Sequence, residues 1–300
     1  MEAITVAVQL PVLRAQNVTL HVKREDLLFP NLSGNKYRKL KYNLEAAKAG
    51  GHKTLITFGG AFSNHLHATA AAGKQYGFRT IGLVRGEELR EKPLNPTLAQ
   101  AHQWGMKLFF LNRKEYRLKS DPDFLKTLME TFGPAYLIPE GGTNDLAVRG
   151  CSEILTLADR DFTHICCPVG TGGTLAGLAR SAQPGQHILG YPALKAPDLQ
   201  KELRTWIFAN NWELVRDYHF GGYGKINPEL IGFINDFKGK TGIPLDPVYT
   251  GKMLFGILED LRRGRLGSGS RVLAIHTGGL QGIAGMNMQL KKKNLPLLHL

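Results

Sequence analysis

Between residues 53 and 138, short runs of β-branched and apolar residues alternate with longer stretches whose apolar positions recur at helical spacing, the pattern of successive βα units. Thr54–Phe58, Thr80–Val84, Lys107–Leu111 and Ala135–Ile138 read as strands, with Ser63–Gln75, Thr97–Trp104 and Asp121–Glu130 as the helices between them. A second series starts with a helix over Leu146–Leu157. It continues through the apolar strand His164–Cys167, a helix from Gly173, the strand His187–Gly190 and the strand Arg271–Ile275. The first 45 residues supply two more strands and a helix that starts near Lys36. This order predicts an α/β fold of two three-layer, parallel-sheet domains: residues 1–45 with 145–300 form the larger, and 46–144 a smaller one inserted into it. In such sheets ligands sit at the carboxyl ends of the strands.

The 300 residues, 43% hydrophobic and 21% charged, are enough for a sizeable core and show no low-complexity tract. Cys151, Cys166 and Cys167 are too few and too badly spaced for a disulfide framework or a zinc knuckle. With no signal-peptide pattern at the start and no apolar run of membrane-spanning length, the expectation is a cytoplasmic protein without a membrane partner. The net charge of +13 is scattered, and its densest groups, Lys36–Lys41 and Lys291–Lys293, lack any nucleic-acid-reading motif. It is read as solvated surface, with no nucleic-acid partner.

Three turns carry candidate chemistry. Pro168-Val169-Gly170-Thr171-Gly172-Gly173-Thr174 follows an apolar strand and opens a helix, so its converging amides and hydroxyls suit a phosphate. It lacks the Gly-Lys-[Ser/Thr] ending of a nucleoside-triphosphate loop and the full spacing of a dinucleotide loop, and a tight strand-to-helix turn would read the same way. Ser33-Gly34-Asn35-Lys36 places a lysine behind a small-residue turn, where burial would lower its pKa as an imine-forming amine requires. Phe58-Gly59-Gly60-Ala61-Phe62-Ser63-Asn64-His65 offers bare helix-start amides for a carboxylate, although Ser63 and Asn64 also fit plain helix capping. His65 and His67, two apart on a helix, point to different faces, and no metal is expected.

Taken together, these segments resemble the tryptophan-synthase-β-like (fold type II) pyridoxal-phosphate enzymes, in the aminocyclopropane-carboxylate deaminase and D-cysteine desulfhydrase family. The likeness runs through Lys23-Arg24-Glu25-Asp26, Gly34-Asn35-Lys36, Gly59-Gly60 with Ser63-Asn64-His65, Gly170 to Thr174, Asp246-Pro247-Val248-Tyr249-Thr250-Gly251-Lys252 and His276-Thr277-Gly278-Gly279. The resemblance implies pyridoxal 5′-phosphate as cofactor, held in the cleft between the two domains, with the larger domain as its main binding partner. It implies that Lys36 binds the cofactor covalently and moves the α-proton, and that Asn64 lies beside the cofactor's 3′-oxygen. Ser63 with the amides of Asn64 and His65 would hold the substrate carboxylate, and Gly170, Thr171, Gly172, Gly173 and Thr174 the phosphate. Tyr249 and Tyr223 would stand near the reacting centre; the sequence around Tyr223 departs from that of longer family members. A homodimer is also implied.

Two positions separate the branches of that family. Where the cyclopropane deaminases resemble one another in carrying Glu and Leu, this chain has Thr250 and Thr277, as in the desulfhydrases. A carboxylate facing the pyridine nitrogen would keep it protonated; a hydroxyl does not enforce that. One of the two threonines would contact that nitrogen, although either could also merely pack beside the ring. The expected activity is a lyase that eliminates a β-leaving group from a small amino acid, D-cysteine first, giving pyruvate, hydrogen sulfide and ammonia. The alternatives are 1-aminocyclopropane-1-carboxylate deamination, elimination from chloroalanine, serine or cysteate, and a cofactor-binding carrier or regulatory protein with little turnover.

Overall fold

The computed structural model describes every residue except Met1, Pro30, Ser33 and Leu300. Ser33, the first residue of the Gly-Asn-Lys turn segment, thus lies outside the described residues. In chain order the elements are β1 (Thr5–Val8), α1 (Pro11–Ala15), β2 (Thr19–Lys23), α2 (Asn35–Ala49), β3 (Thr54–Gly60), α3 (Asn64–Tyr76), β4 (Arg79–Arg85) and α4 (Pro96–Gln103). Next come β5 (Met106–Leu111), α5 (Arg113–Arg117), α6 (Pro122–Phe132), β6 (Tyr136–Ile138), α7 (Asp145–Cys151), β7 (His164–Val169), α8 (Gly173–Ser181) and β8 (His187–Pro192). The chain closes with α9 (Leu199–Arg204), β9 (Trp212–Leu214), α10 (Pro228–Thr241), α11 (Thr250–Arg262), β10 (Arg271–Ile275) and α12 (Gly282–Lys292).

Two compact units result: Met1–Asn35 with Cys151–Leu300, and Lys36–Gly150. The inserted unit is therefore longer than the expected 46–144, because α2 and α7 pack with each other. Lys39 Nζ donates to Gly141 O and Thr143 Oγ1, and Asn43 exchanges hydrogen bonds with Asn144. At Gly150 on α7 a Cβ would stand 1.9 Å from the carbonyl oxygen of Arg38, so the two helices approach at a distance only glycine permits.

The inserted unit is a four-stranded parallel sheet in the order β5-β4-β3-β6. Alternate residues of its strands point to opposite faces. Ile56, Phe58, Ile81 and Leu83 pack under Tyr116 of α5 and Leu128 of α6. Val84 and Met106 pack with Leu66 and Ala70 of α3 and Leu98 and Ala101 of α4. Three layers follow directly from that alternation.

The larger unit holds a six-stranded sheet, β1-β2-β10-β7-β8-β9. All its pairings are parallel except the outermost, where β1 runs antiparallel to β2, so the expected all-parallel sheet needs correction at that edge. The two strands are joined by a short connection that turns back on itself, which is too little chain for a parallel crossover. The helix expected over Leu146–Leu157 ends at Cys151. Asp159, beyond it, is drawn into a buried ion pair with Lys23 and also accepts from the Thr156 amide, which breaks the helical path. The region from 199 to 262, where no elements were anticipated, supplies α9, β9, α10 and α11. Ile231, Ile234 and Phe237 of α10 and Met253, Leu254, Ile257 and Leu258 of α11 build much of this unit's core.

Candidate active site

In the larger unit, β7 ends at Val169 and the chain turns through Gly170, Thr171 and Gly172 into α8. Gly172, at φ +86°, precedes the helix, and no side chain caps its first amides. Those N–H groups lie at the positive end of the helix dipole, a position where an anion is favoured. The Thr174 hydroxyl is buried and accepts from the side-chain Nδ2 of Asn35 at 2.8 Å. Asn35, the last residue of the larger unit's first segment, is thereby fastened to the glycine turn.

The Gly34 turn is fixed just as tightly. Gly34 has φ +67°, and a Cβ there would lie 2.0 Å from Thr277 O, which also accepts from the Asn35 amide at 3.3 Å. The Lys-Arg-Glu-Asp segment supports this turn from beneath: Arg24 holds Asp26 through two hydrogen bonds of 2.9 and 2.7 Å, and Asp26 meets His276 at 3.2 Å. Pairing of β2 with β10 thus brings Asp26 to His276, and Gly34 and Asn35 to Thr277.

Tyr249 lies over the first glycine of the turn, since a Cβ on Gly170 would be 3.3 Å from both Cε1 and the hydroxyl of that ring. Tyr223 meets Tyr249 edge to face at 6.1 Å between centroids. The two threonines part company. Thr250 is fully buried and its hydroxyl is consumed by Asp246, donating to the carboxylate at 2.8 Å and accepting the Asp246 amide at 2.9 Å. Thr277, at the end of β10, makes no side-chain hydrogen bond to the described residues, so its hydroxyl is available to a ligand.

In the inserted unit, Ser63 caps α3: its hydroxyl accepts from the Leu66 amide at 3.2 Å. The capping role anticipated for Ser63 is therefore real. The amides of Asn64 and His65 are the first of a 13-residue helix. The His65 side chain, however, turns into the core. Thr57 Oγ1 donates to Ile138 O at 2.7 Å, so at 2.8 Å it accepts from His65 Nε2. Burial first, and then the ammonium groups of Lys36 and Lys39, hold this imidazole well below the usual histidine range, and it is neutral. His67 faces elsewhere, edge-on to Trp104 at 4.7 Å. Lys36 is half-buried and donates to Gly141 O at 3.2 Å.

Residue reading alone passed over several of these groups: Asp246, Asn35 as the clamp of Thr174, and Lys39. Asp246 carried a signal, since an aspartate a few residues before a helix start is a capping pattern. Asn35 and Lys39 had none, as their partners lie 139 and 104 residues downstream.

An uncapped helix start behind a glycine turn, crowded by a tyrosine ring and backed by a buried threonine, fits an anionic group such as the phosphate of pyridoxal 5′-phosphate, and a half-buried lysine fits its aldehyde. Comparison with known proteins agrees. A Pyrococcus furiosus protein provisionally named 1-aminocyclopropane-1-carboxylate deaminase is 34% identical over 285 residues, covering 88% of this chain and 85% of its own. A bifunctional D-cysteine desulfhydrase/1-aminocyclopropane-1-carboxylate deaminase of Arabidopsis thaliana is 29% identical, covering 88% of this chain and 73% of its own. The D-cysteine desulfhydrase of Yersinia pestis is 29% identical, covering 90% and 89%. Among solved structures, an ACC deaminase homologue superposes with a TM-score of 0.86 at 30% identity over 97% of this chain and 94% of that one. The model of the pyridoxal-phosphate dependent enzymes matches residues 2–278, and the chain belongs to that family.

Proposed function

We propose that the chain is a lyase that eliminates hydrosulfide from D-cysteine, with hydrolysis of the resulting enamine giving pyruvate and ammonia. The observation that carries this reading is the chemistry at positions 250 and 277. Neither holds a carboxylate, and of the two hydroxyls only Thr277 is spared by its neighbours, Thr250 being spent on Asp246. Thr277 is then the residue that faces the pyridine nitrogen. Opening a cyclopropane ring calls for the stronger electron sink that an acidic partner enforces, whereas expelling a thiolate from a β-carbon does not.

When bound, pyridoxal 5′-phosphate supplies a sink for the negative charge that develops at the substrate α-carbon. The protein supplies geometry and proton transfer. In this reading Gly170 to Thr174 hold the phosphate and Asn64 the 3′-oxygen. Ser63 with the amides of Asn64 and His65 holds the substrate carboxylate. The Lys36 amine binds the cofactor and takes the α-proton. One of its acceptors is Gly141 O at 3.2 Å. Tyr249 and Tyr223 border the leaving group. The setting is cytoplasmic, in keeping with three free, buried cysteines, and the assembly is a homodimer, which light scattering on the purified protein would check.

The test is to load the chain with cofactor and assay sulfide and keto-acid release from D-cysteine, L-cysteine, chloroalanine and 1-aminocyclopropane-1-carboxylate. Sulfide and pyruvate from D-cysteine at the highest kcat/KM are expected. Faster formation of 2-oxobutanoate from the cyclopropane acid would overturn the assignment in favour of deamination. Firm cofactor binding with no turnover of any of the four would point to a carrier.

A further inference from the structure

Lys252 stands in the first turn of α11, three residues after Tyr249, and is 1% exposed. Its ammonium donates to three main-chain carbonyls: Gly222 O at 2.8 Å, His219 O at 2.9 Å and Ala193 O at 3.1 Å. All three of its N–H bonds are thus used. Ala193 directly follows β8, while His219 and Gly222 belong to the loop that delivers Tyr223.

That loop runs through left-handed backbone, which its glycines adopt freely and Phe220 does not. Phe220, Gly221, Gly222 and Gly224 all have positive φ, at 53°, 87°, 126° and 65°. Within the loop the Gly221 amide donates to His219 Nδ1 at 3.0 Å, the Gly222 amide reaches His219 O at 3.0 Å, and the Lys225 amide reaches Gly222 O at 3.1 Å. The two main-chain closures end on carbonyls that Lys252 also holds. Burial pulls the Lys252 amine down to about 8, against the opposing pull of Asp246. A side chain needed only to fill space would be a methionine or leucine, with no such desolvation to bear.

We propose that Lys252 is a positioning residue for the reaction: its ammonium gathers the 219–222 loop onto the start of α11, and so sets Tyr223 against Tyr249. One helical turn then places both tyrosines, Tyr249 through the main chain and Tyr223 through the cation. The proposal rests on the reading of the two tyrosines given above.

Hydrogen exchange and steady-state kinetics on the cofactor-loaded protein test it. In Lys252→Met, the amides of Gly222 and Lys225 should exchange at least ~10-fold faster while those of β10 keep their protection. kcat on D-cysteine should fall roughly 10- to 100-fold with little change in KM, because misplacing a group by an ångström acts on the reacting geometry more than on binding. Adding Lys252→Met to Tyr223→Phe should cost little beyond Tyr223→Phe alone, and Lys252→Arg, which keeps a cation, should recover most of both effects. Should Lys252→Met not fold, the exchange of Lys252→Gln carries the same reading. Unchanged exchange at Gly222 and Lys225, or losses that multiply in the double variant, would overturn the proposal. A wild-type chain inactive on every substrate would instead sink the assigned reaction, and the exchange result would still decide whether Lys252 holds the loop.

Discussion

His67 and Lys36 show how a single side chain reports its surroundings. Burial lowers the His67 imidazole to about 4, so it is neutral in the folded chain at neutral pH. As pH falls below about 6.5 the unfolded chain takes up its proton first, and the folded chain follows only near 4. The stability His67 contributes is therefore intact above about pH 6.5 and lost as pH drops toward 4, on the order of 3 kcal/mol in full. His65 acts in the same direction. Urea unfolding at several pH values between 4.5 and 7.5 should show this slope, and His67→Phe, which can still pack on Trp104, should flatten it; an unaltered slope would mean that other groups set the acid limit. For Lys36 the readout is optical. Lys36→Ala should remove the near-visible absorbance of covalently held cofactor, and a variant with the wild-type spectrum would rule out Lys36 as the attachment point.

At the scale of elements, the entry to α11 depends on one carboxylate. Asp246 is 1% exposed and accepts from the amides of Val248, Tyr249 and Thr250 at 2.9, 3.0 and 2.7 Å, as well as from the Thr250 hydroxyl. Tyr249, the residue before the helix, has no side-chain cap to offer. Asp246→Ala should destabilise the chain by about 3 kcal/mol, since buried amides lose a charged acceptor, and Asp246→Asn by less. Chemical denaturation compares the two, and equal midpoints for both variants and the wild type would contradict the capping role. The Gly34 turn gives a sharper expectation. Gly34→Ala adds a methyl 2.0 Å from Thr277 O in a left-handed backbone, so β10 and the start of α2 have to separate. Several kcal/mol of stability and most cofactor affinity should go together, which a thermal melt and a cofactor titration read independently.

For the whole molecule, cofactor binding and folding are linked. A ligand that binds only the folded chain raises its stability by about 2.7 kcal/mol when present at 100 times its dissociation constant. Calorimetry should show a melting temperature several degrees higher with pyridoxal 5′-phosphate than without, and a smaller rise for Lys36→Ala, which keeps only the contacts to the phosphate and ring. An identical melt in both states would be incompatible with the cradle at Gly170 to Thr174.

What the order of residues settled by itself was local. The apolar strands from Thr54 to Ile138, the helices that begin at Ser63 and Gly173, and the glycine turns between them follow from side-chain periodicity and turn chemistry, which act over a few residues. Asn227-Pro228 at the start of α10 and Gly242 at its end are local signals of the same kind and mark that helix as clearly as any other. The fold alone decided the pairings that cross the chain, because a buried polar atom takes whichever partner the packing brings, however distant in sequence. Asn35 found Thr174, Lys39 found Thr143, and Lys252 found three carbonyls that no spacing announces. The same holds for the two threonines: alike as letters, one is spent on its neighbour Asp246 and the other keeps its hydroxyl, a difference made by where the main chain places them.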